Sequence, residues 1–517
     1  MEVMMVLYND VRKNTYYDSV TLMLFSGNLT AVAGVKDASV MMGTEHNKSI
    51  MIKAGILSEA AAADASPNDL IIGVLAENEE LVQETLKRLE EQFENKVKTA
   101  SGDERLLVKT LDSAVKQLGN PNFAVISLPG KYAKNEAMKA MKNGMHVLLF
   151  SDNVSLEEEN ELKDYATEQQ LLMMGPDCGT AIINGAALGF ANIVRRGDIG
   201  LVAAAGTGLQ EATVLIHNLG GGISQALGTG GRDVRDEVGG KMMMQELRAL
   251  NEDSMTNVIG IISKPPAPGV MKKVMELCKG FSKPVVACFL GGSEEMAKNA
   301  GAIYAETLQD AAALLVEISK REEQKLPLDQ PVEDIIKNET AKYSGGQKHI
   351  RGLYSGGSLC YESILLVEKE AGRVYSNISH DAFELADVEK SRDNTFVDMG
   401  DDYFTDGMPH PMIDPRLRVE RIKKEALDES VAIILLDCVL GYGSHEDPAG
   451  ALAAAIKTAN EEIKGRHITY IASICGTEED FQIRSQQEAK LRAAGVIVMN
   501  SNAQAAKLAA KILKKLA

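Results

Sequence analysis

Gly206-Thr207-Gly208 follows an apolar run and opens a helical pattern. A strand-to-helix turn of this kind leaves backbone N–H groups without acceptors, and the helix dipole adds positive potential there, so it suits a small anion. The same pattern also serves as a tight turn with no ligand. Glu211 either orients a donor above that turn or is an ordinary first-turn carboxylate. Gly230-Gly231-Arg232-Asp233 offers a flexible backbone beside a guanidinium. Arg232 either grips phosphate or carboxylate bidentately or pairs with Asp233 in a surface turn. Lys264, fixed by Pro265-Pro266, ends an apolar run, where open α/β sheets bind ligands. Gly356-Gly357-Ser358 is a second strand-to-helix anion candidate. His410 lies between Pro409 and Pro411 and is followed by Asp414, Arg416 and Arg418. Prolines preorganise a loop, so His410 either protonates a leaving nitrogen or holds the loop together by hydrogen bonds. His445 is a weaker candidate, and Cys178, with no histidine near it in sequence, reads as a small buried residue.

Repeated strand–glycine–helix units position these residues. Strands at Ile199–Ala204, Ile223–Leu227, Val258–Ile262 and Val285–Leu290 each run into glycine or proline. Four such units in succession predict a flavodoxin-like, doubly wound parallel sheet over 196–320. Residues 116–195 carry an earlier alternation, read as a Rossmann-like half sheet. Residues 1–115 read as an α+β module, with a buried strand at Asp69–Leu75 and an amphipathic helix from Glu79 to Asn95; 18–25 fits helix and strand equally. Residues 321–347, rich in charge, proline and glycine, read as a linker. Residues 348–517 read as a further α/β domain whose Gly356 turn echoes the Gly206 turn.

The 517-residue chain is long enough for several domains. A formal charge of −18 argues against nucleic acid and anionic membranes as partners. The six cysteines form no CxxC pair, so no metal site or disulfide framework is indicated. With no apolar stretch of membrane-span length and no signal peptide, the expectation is a cytoplasmic protein.

The run from Leu128-Pro129-Gly130 to Gly175-Pro176-Asp177-Cys178 resembles the CoA-binding half of succinyl-CoA synthetase α subunits, whose turn reads Gly-Pro-Asn-Cys. Ile199–Ala212 resembles their Ser-Gly-Thr-Leu-Thr-Tyr-Glu stretch, with Gly206, Thr207 and Glu211 on its glycine, threonine and glutamate. Val397-Asp398-Met399-Gly400 resembles the phosphate loop of the ligase domain, but Asp401 and Asp402 stand where that family has glycines. Where those enzymes carry a phosphorylated histidine in Gly-His-Ala-Gly-Ala, this chain has Asn299. An amide cannot relay a phosphoryl group. Gly175-Pro176-Asp177-Cys178-Gly179-Thr180, Gly230-Gly231-Arg232-Asp233, Ser263-Lys264-Pro265-Pro266 and Pro409-His410-Pro411-Met412-Ile413-Asp414-Pro415 together resemble the FdrA family. The resemblance implies an α/β fold of several doubly wound, Rossmann-like and flavodoxin-like domains, as in succinyl-CoA synthetase. It implies an oxamate carbamoyltransferase subunit of anaerobic allantoin breakdown, which converts oxalurate and phosphate to oxamate and carbamoyl phosphate with other subunits in an oligomer. His410, Glu211 and Arg232 are then the catalytic candidates. Gly206, Thr207, Gly208, Gly230, Gly231, Lys264, Gly356, Gly357, Ser358, Asp414 and Arg418 are the anion-binding candidates. CoA is the one cofactor the resemblance leaves open; an ADP-forming acyl-CoA synthetase and a non-catalytic CoA- or anion-binding subunit remain the alternatives.

Overall fold

The computed structural model describes residues 5–516 except 14, 16, 18, 31, 102–107, 109, 293, 300, 324–330, 380, 381, 406, 407 and 464. It divides into two compact units, one of Met1–Lys109 with Asp402–Ile413, the other of Thr110–Asp401 with Asp414–Ala517. The return of 402–413 to the first unit is a long-range association that local sequence pattern does not encode.

The first unit holds β1 (Val6–Arg12), α1 (Ser19–Thr30), β2 (Val35–Met42), α2 (Glu45–Lys53), α3 (Glu59–Asp64), β3 (Leu70–Ala76) and α4 (Glu79–Ser101). Within the ambiguous 18–25 stretch, the residues from Ser19 onward are helix. β3 is the central strand of an antiparallel sheet in the order β1-β3-β2. Its almost wholly apolar sequence follows from burial on both faces: Leu70 and Ile72 pack in one cluster, Ile71 in another.

The second unit opens with α5 (Leu111–Leu118), β4 (Phe123–Ile126), α6 (Gly130–Lys142), β5 (His146–Leu149), α7 (Leu156–Glu168) and β6 (Met173–Met174). Strands β4-β5-β6 form a small parallel sheet. Ser155 and Glu158 close a reciprocal capping box at the start of α7. The hairpin β7 (Thr180–Ile183) and β8 (Ala186–Gly189) departs from the expected 116–195 domain. β7 pairs antiparallel with the next sheet and becomes part of it, because a free sheet edge there offers unpaired backbone groups.

That next sheet contains β9 (Arg196–Ala203), α8 (Gly206–Asn218), β10 (Ile223–Gly228), α9 (Lys241–Glu252), β11 (Val258–Ser263), α10 (Pro268–Cys278), β12 (Val285–Phe289), α11 (Glu294–Lys298), β13 (Ile303–Tyr304) and α12 (Leu308–Lys320). Its order is β13-β12-β11-β9-β10-β7-β8, so the chain steps one way from β9 to β10 and then back past β9 to β11. Such a reversal makes a crevice at the carboxyl ends of the strands.

Next comes α13 (Val332–Thr340), inside the stretch expected to be a linker. That expectation is corrected for 332–347. The Tyr343 hydroxyl bonds to Ala432 O and Thr469 Oγ1, Gln347 donates to Val431 O and His467 O, and Glu339 pairs with His467 and Thr469. Residues 324–330 lie outside the described residues.

The third sheet repeats the scheme with β14 (His349–Tyr354), α14 (Gly357–Ala371), β15 (Tyr375–Ser376), β16 (Thr395–Asp398), α15 (Asp402–Thr405, in the first unit), α16 (Arg416–Leu427), β17 (Val431–Val439), α17 (Pro448–Glu462), β18 (Thr469–Cys475), α18 (Arg484–Ala493), β19 (Ile497–Met499) and α19 (Asn502–Leu516). Its order, β15-β16-β14-β17-β18-β19, reverses at β14.

The two large sheets are joined by reciprocal caps. Glu211, on α8, accepts from Asn502 N at the start of α19, and Glu362, on α14, accepts from Leu308 N at the start of α12. Each glutamate satisfies an orphan amide of the last helix of the other half.

Candidate functional site

The turns at the two reversal points meet. A Cβ on Gly356 would lie 2.9 Å from Thr207 Cβ, and one on Gly208 would lie 3.3 Å from Ser358 Cβ. Ser358 N donates to Thr207 Oγ1 at 3.4 Å. Glycine at 356 and 208 is therefore what lets the first turns of α8 and α14 touch. Two motifs that resemble each other along the chain are also in direct contact in space.

At the start of α8, Ala205 is extended and provides no side-chain cap. The amides of Gly206, Thr207 and Gly208 have no intrahelical acceptor, and among the described residues no protein oxygen takes them. A Cβ at Gly206 would meet only Thr180 Oγ1, at 3.5 Å, so the turn is open on that side. These are the properties of an oxyanion cradle.

The start of α14 is different. Asp437 accepts from Ser355 N at 2.9 Å, Gly356 N at 2.8 Å and Ser355 Oγ at 3.0 Å. Arg418 Nη2 donates to Asp437 Oδ1 and to its carbonyl, both at 2.8 Å, and to Leu353 O at 3.0 Å. Two expectations change here. The Gly356 amide is spent on a protein carboxylate, and Arg418 is a buried anchor for that carboxylate and not a ligand for substrate. Gly357 has its own neighbour, since a Cβ there would collide with Asp398 Oδ2. Burial pushes the Asp398 carboxyl up to about 7; Asp401 and Asp437 push the same way, while the Gly400 amide and Lys264 oppose it. Lys264 is exposed after β11, with Nζ 4.7 Å from the centre of the Tyr361 ring on α14. Its charge acts on Asp398 and on the Cys360 thiol of α14.

Other candidates have different employment. Glu211 is buried against Asn502 and pushed up to about 7 chiefly by that burial, so its carboxyl faces the α19 start and not the open turn. Arg232 pairs with Glu159 at 2.8 Å and donates to Val154 O at 2.8 Å. Its neighbour Asp233 is buried with Lys163 and accepts from Met242 N and Met243 N. Arg232 thus belongs to a buried ion cluster, neither a free anion clamp nor an Arg232–Asp233 pair. Gly230, at φ 80°, is required for packing, because a Cβ would strike Pro176 O; Gly231 has open space beside it, its nearest neighbour being Ala204 O at 3.9 Å. Asp414 caps Arg416 N at 3.0 Å and holds its guanidinium, which explains the motif as a helix start. His410 lies in the first unit, and its Nδ1 accepts from Met412 N at 3.2 Å. Cys178 is buried, its thiol pushed up to about 12, in keeping with a small apolar role. Asn299 is exposed at the end of α11. The partners of His146, His217, His445 and His467 are Leu172, Arg195, Asp447 and Glu339, none of them at the Gly206 turn.

Asp437 escaped the sequence reading. The available signal was a lone carboxylate inside the apolar run Val431–Val439, since a charge in a buried strand must have a partner.

Residues 353–512 match the CoA-ligase family, 195–291 match the CoA binding domain, and 4–107 match the AllF, heavy metal-associated domain. YahF of Escherichia coli (strain K12) is 44% identical over 512 residues, 98% of each chain. The chain belongs to the YahF family. Within the succinyl-CoA synthetase superfamily, the succinate–CoA ligase α subunit of Aquifex aeolicus is 28% identical over 227 residues, covering 40% of this chain and 73% of the relative. A solved dinucleotide-forming acetyl-coenzyme A synthetase 1 of Ca. Korarchaeum cryptofilum aligns over 77% of this chain and 83% of its own at 14% identity and a TM-score of 0.34. The CoA binding match covers β9 to β12 and so lies after the 116–195 stretch in which that half was expected. All six cysteines lie at or beyond Cys178, so the 4–107 domain has no thiolate, and among the described residues no cluster of metal-ligating side chains occurs. Among the described residues no helix is long and apolar enough to cross a membrane.

Proposed function

We propose that the chain is an FdrA-type subunit of an oxamate carbamoyltransferase. Phosphate attacks the ureido carbonyl of oxalurate, the bond from that carbon to the oxamate nitrogen breaks, and the nitrogen takes a proton. The products are carbamoyl phosphate and oxamate. The observation that carries this reading is the open amide turn at Gly206, beside Lys264, in a chain with Asn299 in place of a phosphoryl-carrying histidine. Such a turn stabilises charge developing on an oxyanion without a covalent intermediate. The AllF-type domain at 4–107 supports the allantoin assignment. The purified chain with its partner subunits, given saturating oxalurate and phosphate, is expected to form carbamoyl phosphate; silence overturns the reading.

The CoA-ligase and CoA binding matches favour a second reading, an ADP-forming acid–thiol ligase. Against it, Asn299 offers no nucleophile, and Arg232 is already paired with Glu159. A stable phosphoenzyme on incubation with ATP decides for the ligase.

A further inference from the structure

The loops that follow β17 and β18 invert the usual order of burial. In the second loop Asp480 is 1% exposed and Gln482 4%, while Phe481 between them is 52% exposed. Ile483 N donates to Asp480 O at 2.8 Å, so Phe481 stands at the tip of a four-residue turn. In the first loop Gly441 is buried and Tyr442 is 47% exposed. One side chain clasps the two loops: Gln482 accepts from Gly441 N at 3.0 Å and donates to Gly441 O and His445 O, both at 3.1 Å. Asp480 accepts from Asn192 Nδ2, Ile193 N and Thr477 N, each at 2.8 Å, and Tyr442 N donates to Ala191 O at 2.8 Å. Gly443 lies so close to Phe190 that a Cβ there would be 2.8 Å from its ring. Ile483 holds φ at 58°, left-handed backbone that a β-branched residue adopts only under constraint. Two large rings are thus held out to solvent by a scaffold with little freedom to withdraw them. The exposed carboxylates of the same loops are Glu446, Glu478 and Glu479. Glu478 accepts from Ser485 N and Oγ, whereas Glu446 and Glu479 have no ion pair among the described residues. The basic side chains that follow are engaged, Arg484 with Asn500 Oδ1 at 3.1 Å and Lys490 with Asp447 at 2.7 Å.

We propose that the Tyr442–Phe481 face docks an arginine-bearing segment of another protein, whose guanidinium groups lie on the two rings while Glu446 and Glu479 supply the opposite charge. A guanidinium is planar, stacks on aromatic faces and is more weakly hydrated than an ammonium. Rings already fixed in place lose little freedom on binding, which is how a small surface gains affinity. A second copy of this chain is a poor occupant, because it would set the same carboxylates against each other in a chain of formal charge −18.

The chain contains no tryptophan, so Phe481→Trp places a single fluorescent reporter on this face. The probe is a synthetic peptide of alternating arginine and glycine, titrated into the full-length Phe481→Trp chain, with lysine–glycine and glutamate–glycine peptides of equal length as controls. The arginine peptide is expected to shift the emission saturably to the blue, the lysine peptide to bind about fivefold more weakly, and the glutamate peptide not to bind. In the same reporter chain, Tyr442→Ser, and Glu446→Gln combined with Glu479→Gln, are each expected to weaken binding by about tenfold with the melting temperature unchanged. No response to the arginine peptide, an equal response to either control, or an affinity unmoved by both sets of substitutions overturns the proposal. So does a blue shift that grows with chain concentration before any peptide is added, since that marks a second copy on this face. Should Phe481→Trp not fold, Tyr442→Trp carries the same titration, with Phe481→Ser as its second variant. Phosphate and oxalurate are left out throughout, so the outcome is independent of the transferase reading.

Discussion

The β9–α8 turn and the β14–α14 turn have the same place in their sheets, yet one is open and the other is filled. Beside the first, the neighbouring strand contributes Ile262, the register partner of Ala203, whose carbonyl takes the Ala204 amide and whose methyl reaches toward Gly208. Beside the second, the neighbouring strand contributes Asp437, directly after Leu436, the register partner of Leu353. Its carboxylate takes the amides of Ser355 and Gly356, the N-cap of α14 and the residue before it, where the first turn gives only Ala204 N to Ile262 O. One side chain in an adjacent strand therefore decides whether the N-cap amide of a strand–glycine–helix motif is already spent. The filled turn becomes a wall that carries Asp398 and leans on the open one.

The largest effect that would break this comparison is loss of the internal cap. Asp437→Leu strands Arg418 in the core, and urea unfolding is expected to show a loss of about 3–5 kcal/mol. Gly356→Ala forces a methyl against Thr207 and is expected to cost about 1–3 kcal/mol, whereas Gly206→Ala, with only ordinary contacts, is expected to cost less than about 1 kcal/mol. Ala205→Asp gives the open turn a carboxylate of its own. It is expected to stabilise the ligand-free chain by about 1 kcal/mol and to abolish the rise in melting temperature that sulfate gives the wild type.

The smallest effect concerns the cap between the halves. Glu211 has its folded value raised to about 7 from 4.5, so its contribution to stability is complete below the unfolded value and is lost as pH rises through the folded one. Melting temperature is expected to decline between those limits, and Glu211→Gln to flatten the decline. A slope unchanged by that substitution would mean that Glu211 is ionised where it accepts from Asn502.

Most strands of the two large sheets are legible in the sequence because an apolar run ending in glycine has few other uses. The expected strand at 258–262 gains only Ser263. The site is legible only in part. Gly206, Thr207, Gly208, Lys264 and Ser358 do come together around the two turns. Arg232 reads either as an anion clamp or as the partner of Asp233, but its partner is Glu159 on another helix, and Arg418 reads as part of a loop motif when its partner is Asp437. Long side chains choose partners by proximity in space, and neither partner is local. The 321–347 stretch misleads for a similar reason, since polar composition hides the hydrogen bonds that Tyr343 and Gln347 make to strand backbones.

By itself, the order of apolar runs and glycines determined two doubly wound sheets, and the residue at 299 excluded a histidine phosphoryl carrier there. Only the tertiary structure decided which helix start remains able to bind. An amide at a helix start can satisfy one acceptor, and whether that acceptor is a ligand or Asp437 depends on a strand far away in the chain but one step away in the sheet.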